Sequence, residues 1–192
     1  LLHVADAALT TFTPVMPDGA GIYLEGFPAI TDDGATIIYA ASGGPHMRDL
    51  YITTKIGATW STPALLTASP TYAFNNQPSF TRDGTAVLFN CGAGADPETL
   101  TNDGCKVALT GGAVTVVIAH TTLPNGRNSY VNFPRDAGSG RIVFEGSWPL
   151  DANMPPETIW QRTGSDAPTV AIPRTFDNSV SPCVLGDGRL AI

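Results

Sequence analysis

A short strand, a tight turn of the Asp-Gly kind and a hydrophobic strand recur four times along this sequence, at a spacing near fifty residues. The hydrophobic strands read TIIYAA (36–41), AVLFN (86–90), RIVFE (141–145) and RLAI (189–192). Ahead of them stand PAITDDG (28–34), PSFTRDG (78–84), VNFPRDA (131–137) and PCVLGDG (182–188). In the third copy Val131 takes the place of the Pro and Ala137 that of the Gly, so this copy reads as degenerate. The turn position falls at 34, 84, 137 and 188, which makes the intervals 50, 53 and 51. Self-similarity at such a period marks a repeat architecture, in which each unit buries its faces against its neighbours.

Each copy continues with a third strand: DLYIT (49–53), CKVALT (105–110) and TIWQR (158–162). A turn follows at Gly57, at Gly111 and Gly112, or at Gly164. A fourth strand comes next: WSTPALLT (60–67), AVTVVIA (113–119) and APTVAIP (167–173). The last repeat stops after its second strand. LLHVA (1–5) reads as its third strand and LTTFTPV (9–15) as its fourth. The expectation is an all-β chain, a four-bladed β-propeller of four-stranded antiparallel blades whose last blade is shared between the two ends of the chain. Blade 1 spans 27–67, blade 2 77–119 and blade 3 130–173, and blade 4 joins 1–15 to 178–192. One such sheet cannot bury both faces alone, whereas sheets stacked round an axis cover one another. A two-sheet sandwich has similar strand spacing but does not predict in-phase copies of one unit.

Composition agrees. The 192 residues suffice for one domain with a sizeable core. Gly (20) and Pro (16) are spread along the chain, as many short strands require. Hydrophobic residues at 43% and charged residues at 14% argue against disorder. The net charge of −7, from 10 basic and 17 acidic residues, speaks against nucleic acid and against anionic membrane surfaces. No apolar run reaches the ~18 residues of a membrane span, so membrane insertion is not expected. The sequence carries neither an initiator Met nor a signal-peptide pattern. Its strand-like ends read as a processed product, so a secreted, periplasmic or cell-envelope location is expected.

PSFTRDGTAVLF (78–89) resembles the P-x-F-S-x-D-G-x-x-L-x-F core of the TolB-type, WD40-like (PD40) β-propeller repeat. DLYITTKIGATWSTPALLTASPTYAFNNQPSFTRDG (49–84) adds that family's D-L-Y third strand, its W-S-x-P-x-x-L fourth strand and its Asn before the next repeat. The resemblance covers nearly the whole chain and is strongest over 28–90. It implies a propeller fold. It leaves function open, since the repeat serves envelope binding modules, propellers attached to peptidases and some polysaccharide lyases.

In such a fold the first strand of each blade is expected nearest the axis. The long loops (16–27, 43–48, 68–77, 92–104, 120–130, 146–157 and 174–179) then share one face, opposite the tight turns. Function on a rigid scaffold concentrates on loops of this sort. Glu25, Asn75, Asn76, Asn128, Asp177 and Asn178 precede the first strands and are expected to ring the axis. Their oxygens suit a hard cation or sugar hydroxyls, or they serve turn chemistry by capping their own backbone. Tyr72 and Trp148 are candidate aromatic platforms, Trp148 in the Pro- and Met-rich loop GSWPLDANMPPE (146–157). Phe74 and Phe176 read as seals between blades.

The three histidines, His3, His46 and His120, include no two at metal-ligand spacing. His46 and His120 share the long-loop face and are candidate ligand contacts. The sequence has no G-x-S-x-G elbow, no Walker loop and no CxxC. Glu145, Glu157, Asp96 and Asp103 read as loop charges, although a glycosidase would need two such carboxylates facing each other. Cys91 and Cys105 flank a 13-residue loop (92–104) and are expected to form a disulfide, which implies an oxidising compartment. Cys183 reads as a buried small hydrophobe on an inner strand.

These features add up to a non-catalytic binding or scaffold propeller that engages a protein or glycan ligand on its long-loop face. One alternative is a polysaccharide-active enzyme, a lyase or glycosidase, with Glu145, His46 and His120 in an axial pocket. Another is half of a larger propeller completed by dimerisation, so the chain is expected as a monomer or a homodimer. No catalytic residue, metal ligand or cofactor is assigned. A Ca2+ ion at the axis is the one addition compatible with the oxygen-rich rim.

Overall fold

The computed structural model describes residues 23–67, 71–93, 101–123, 130–147, 158–172 and 181–191. They form antiparallel sheets in which consecutive strands lie side by side. The first sheet holds β1 (Tyr23–Ile30), β2 (Thr36–Ser42), β3 (Asp49–Ile56) and β4 (Thr59–Trp60), with β5 (Ala64–Leu65) also paired to β3. The second holds β6 (Phe74–Phe80), β7 (Ala86–Gly92), β8 (Asp103–Ala108) and β9 (Thr115–Ile118). The third holds β10 (Tyr130–Gly138), β11 (Arg141–Ser147), β12 (Thr158–Thr163) and β13 (Thr169–Ile172). A two-stranded sheet pairs β14 (Cys183–Val184) with β15 (Leu190–Ala191). LLHVA and LTTFTPV lie outside the described residues, and with them the shared last blade.

The sheets stack as blades because their strands are apolar on both faces. In β2, Ile38 and Ala40 point one way and Tyr39 and Ala41 the other, and all four are buried. Ile38, Ala40, Leu50 and Leu66 of the first sheet close on Val87, Phe89, Cys91, Cys105 and Val107 of the second. Ile118 and Leu123 then meet Val131, Phe144 and Trp160 of the third. A strand buried on both sides needs a neighbouring layer on each side, which a blade stack supplies. Contact between sheets runs mainly through the first strands: β6 packs on β1 and β10, and β10 on β14. Phe27 of the first sheet and Phe133 of the third touch at 5.3 Å between ring centroids, so β1 and β10 converge on a common axis.

A repeated joint sews neighbouring blades together. Arg48 precedes β3, donates its N–H to Ala73 O (3.1 Å) and accepts from the N–H of Asn75 (3.0 Å). Asn102 precedes β8 at the equivalent place, and its carbonyl accepts from Val131 N–H (3.0 Å). The guanidinium of Arg48 also lies 4.8 Å from the ring centre of Phe74, which seals this seam.

Three expectations need correction. The marker residues of the third copy are not Val131 and Ala137: Pro134 and Gly140 hold the places of Pro78 and Gly84, while Ser139 stands where the second copy has Asp83. Phe133 shares the unusual backbone of Gln77 (φ 47° and 53°), and Gly140 that of Gly84 (φ 71° and 66°). The strand expected at 131–137 is present as part of β10, and the blade opens ahead of its proline. Next, WSTPALLT is not one strand. Pro63 has no N–H to give β3, so pairing breaks after Trp60 and resumes at Ala64. Finally, Cys183 is exposed rather than buried. Pro182, just ahead of β14, is buried, and alternation turns the next residue, Cys183, outward.

Candidate binding site at the propeller axis

Each complete blade carries the same irregularity in its first strand. The pairing slips between Gly26 and Ala29, between Asn76 and Ser79, and between Asn132 and Arg135. Inside each slip stands a residue followed by Pro, and its φ is positive: 51° at Phe27, 53° at Gln77 and 47° at Phe133. A residue before Pro ordinarily stays extended, and a non-glycine left-handed backbone costs about 1–3 kcal/mol. Strain placed three times in phase at the centre of the molecule marks that centre as a functional candidate.

The side chains of these positions meet. The Phe27 and Phe133 rings pack edge to face, with 76° between their planes. Phe27 remains 47% exposed, so an aromatic edge is open at the axis. Gln77 Oε1 accepts from the backbone N–H of Phe133 (3.0 Å) and from Asn90 Nδ2 (3.0 Å). Asn90 Nδ2 also reaches Asn132 Oδ1 (3.3 Å). Asn76 faces Asn90 across the strand pair, and both are buried. Their Oδ1 atoms find no hydrogen-bond partner among the described residues. Ser79 Oγ donates to Pro134 O (2.6 Å) and Arg135 Nη1 to Pro78 O (3.2 Å), which locks β6 to β10. Burial holds the Arg135 guanidinium below its usual pKa. The site thus combines a partly open aromatic pair, a rigid amide cluster and unused acceptors.

The predicted rim behaves unevenly. Asn76 joins the amide cluster. Asn75 is spent on the seam, its Nδ2 donating to Arg48 O (3.1 Å) and Tyr72 O (3.3 Å). Tyr72 packs against the core between the first two blades. Its phenol is pushed up by burial and, secondarily, by Asp103. His46 and His120 are each held by a different carboxylate: Nδ1 to Asp49 Oδ1 at 2.8 Å, and Nδ1 to Asp103 Oδ1 at 2.6 Å. Glu145 is buried within β11 as the cross-strand partner of Asn132. No hydrogen bond joins His46, His120 and Glu145 to one another among the described residues. Asn128, Trp148, Asp177 and Asn178 lie outside those residues, as does the side chain of Glu25, whose backbone belongs to β1. Cys91 and Cys105 form the disulfide, with Cα atoms 5.9 Å apart.

Phe27, Gln77, Asn90, Asn132 and Phe133 went unnoticed in the sequence. A signal was there: Phe27, Gln77 and Phe133 each precede a proline of the repeat, which shows once the third copy is aligned on Pro134.

Stacked four-stranded antiparallel sheets with first strands on a common axis define a β-propeller. The solved structures similar to this chain include TolB from Acinetobacter baumannii, at TM-score 0.57 and 15% identity over 86% of this chain and 36% of that one. They also include a protein of Agrobacterium tumefaciens assigned to TolB, at TM-score 0.50 and 16% identity over 70% of this chain and 44% of that one. The chain therefore spans less than half the length of either. At these identities the likeness concerns the fold. No family model matches the sequence, and no curated protein matches it.

Proposed function

We propose that this chain is a non-catalytic binding propeller which takes a protein ligand from its long-loop side, with one apolar side chain of that ligand seated at the axis against Phe27 and Phe133. The single observation that supports this most is the half-exposed Phe27, held on a strained backbone in contact with a ring from two blades away. Central aromatic anchors in rigid pockets carry much of the energy of protein interfaces. An exported location agrees with the Cys91–Cys105 disulfide. No helix among the described residues is long and apolar enough to cross a membrane.

The test is photo-crosslinking. Benzoylphenylalanine placed at position 27 should capture a discrete protein from a cell-envelope extract of the source organism. Phe27→Ala and Phe133→Ala should each weaken the purified partner by ~30-fold, the weight of about 2 kcal/mol for an anchor. Their melting temperatures should stay close to that of the parent. Undiminished capture by both alanine variants, or binding to a glycan array with no protein captured, would overturn the assignment.

A further inference from the structure

The opposite face of the molecule, where the tight turns gather, has its own concavity. A cavity of about 630 Å³ opens at the axial mouth and is walled by all four sheets. Ile30 to Asp33 come from the first, Phe80 to Gly84 from the second, Arg135 and Asp136 from the third, and Val184 to Gly186 from the last. A second cavity of about 640 Å³ shares Thr81, Arg82, Asp83 and Asp136 with it. It continues between the second and third blades over Leu88, Val117 and Ile142. Through these shared residues the two cavities adjoin, and the groove runs from the axial mouth to the seam between the second and third blades.

The groove is lined in part by exposed apolar side chains. Ile30 is 57% exposed and Leu185 40%, high values for residues of their size on a concave surface. The axial cavity is lined by Asp32, Asp33, Asp83 and Asp136 against Arg82 and Arg135, an excess of negative charge. Both arginines are turned to the protein's own backbone. Arg82 Nη2 donates to Gly186 O, and Arg135 Nη1 donates to Pro78 O. Asp33 and Asp83 each commit Oδ1 to their own hairpin, and Asp32 makes no hydrogen bond among the described residues. Asp136 spends both oxygens on the N–H groups of Arg82 and Gly138, and Lys106 lines the adjoining cavity beside Asp83, so the carboxylate left uncommitted at the axial mouth is Asp32.

We propose that this hairpin-side groove is a second docking surface, for an extended segment of a partner protein that carries a lysine or arginine among apolar residues. The aliphatic stem of the basic side chain would lie over Ile30 and Leu185, and its charged head would meet Asp32 and the open oxygens of Asp33 and Asp83. Two ligand sites on opposite ends of one axis would make the chain a connector between two proteins. The groove does not depend on the Phe27 site, and either assignment can fail alone.

The experiment is a fluorescence-polarisation titration of the full chain with a labelled hexapeptide of alternating leucine and lysine, and with its leucine–glutamate counterpart. The expected result is saturable binding of the lysine peptide, weakened about tenfold or more by Asp32→Lys and by Ile30→Asp. Asp166→Lys makes the same charge change at an exposed turn outside the groove and should leave binding unchanged. Phe27→Ala should also leave it unchanged. Binding unaffected by Asp32→Lys and Ile30→Asp, loss in Asp166→Lys equal to that in Asp32→Lys, or equal affinity for the glutamate peptide would each overturn the proposal.

Discussion

Asp83 illustrates how much one exposed side chain organises. Its Oδ1 accepts from the hydroxyl of Thr81 (2.6 Å), the N–H of Thr85 (3.0 Å) and the hydroxyl of Thr85 (2.9 Å). Asp33 repeats this with Thr31 and Ala35, and Asp187 accepts the N–H of Arg189. These bonds favour the ionised form, so the Asp83 pKa falls from 3.8 to about 2, with the Thr81 hydroxyl the largest cause. A carboxyl whose folded pKa is depressed stabilises the fold above its unfolded pKa, and that share is lost as pH falls through the folded value. We expect the contribution of Asp83 to be intact at pH 5, to shrink below about 4 and to vanish near 2. Carbon-detected NMR titration of the Asp83 carboxyl checks the pKa, and thermal melts of Asp83→Asn should lose part of the parent's pH dependence in that window. The Asp-Gly turns were legible in the sequence because their chemistry is local. The left-handed backbone at Gln77 was not, since it is imposed by a neighbouring blade whose Phe133 N–H binds the Gln77 side chain.

Among the elements, the β7–β8 hairpin is the one secured covalently. The disulfide joins buried Cys91 to buried Cys105 and closes the loop 92–104 at its base. Removing such a cross-link costs about 3 kcal/mol by chain entropy. Denaturant unfolding with and without reductant should show a loss of that size for the parent. Cys91→Ala with Cys105→Ala should start from the lower value and ignore the reductant. The strands themselves were readable, because alternating and doubly apolar runs such as AVLFN leave few choices. Their ends were less so. The third hairpin turns on Ser139 and Gly140, both with positive φ (54° and 71°), between the paired Gly138 and Arg141. This is a two-residue turn, tighter than that of the other blades, and it displaced the apparent phase of the repeat.

At the scale of the molecule the seams matter most. Gly104 sits where the second blade meets the third: a Cβ there would lie 3.0 Å from Val131 Cγ1 and 3.1 Å from Ile118 Cβ. Gly104→Ala should therefore force the blades apart and cost about 1–3 kcal/mol, read as a lower denaturation midpoint with an unchanged slope. The stacking of sheets followed from the period in the sequence, whereas the ligand-facing residues at the centre did not. Their identity depends on which blades face one another across the axis, and no single repeat contains that information. The joint made by Arg48 and Asn102 has a consequence of another kind. Because the first and second blades each hand a carbonyl ahead of the third strand to an N–H of the following blade, a length of gene covering one period carries both halves of a compatible coupling. In-frame duplication of such a length adds a module without inventing a new junction, so arrays of different size can descend from one ancestral cassette.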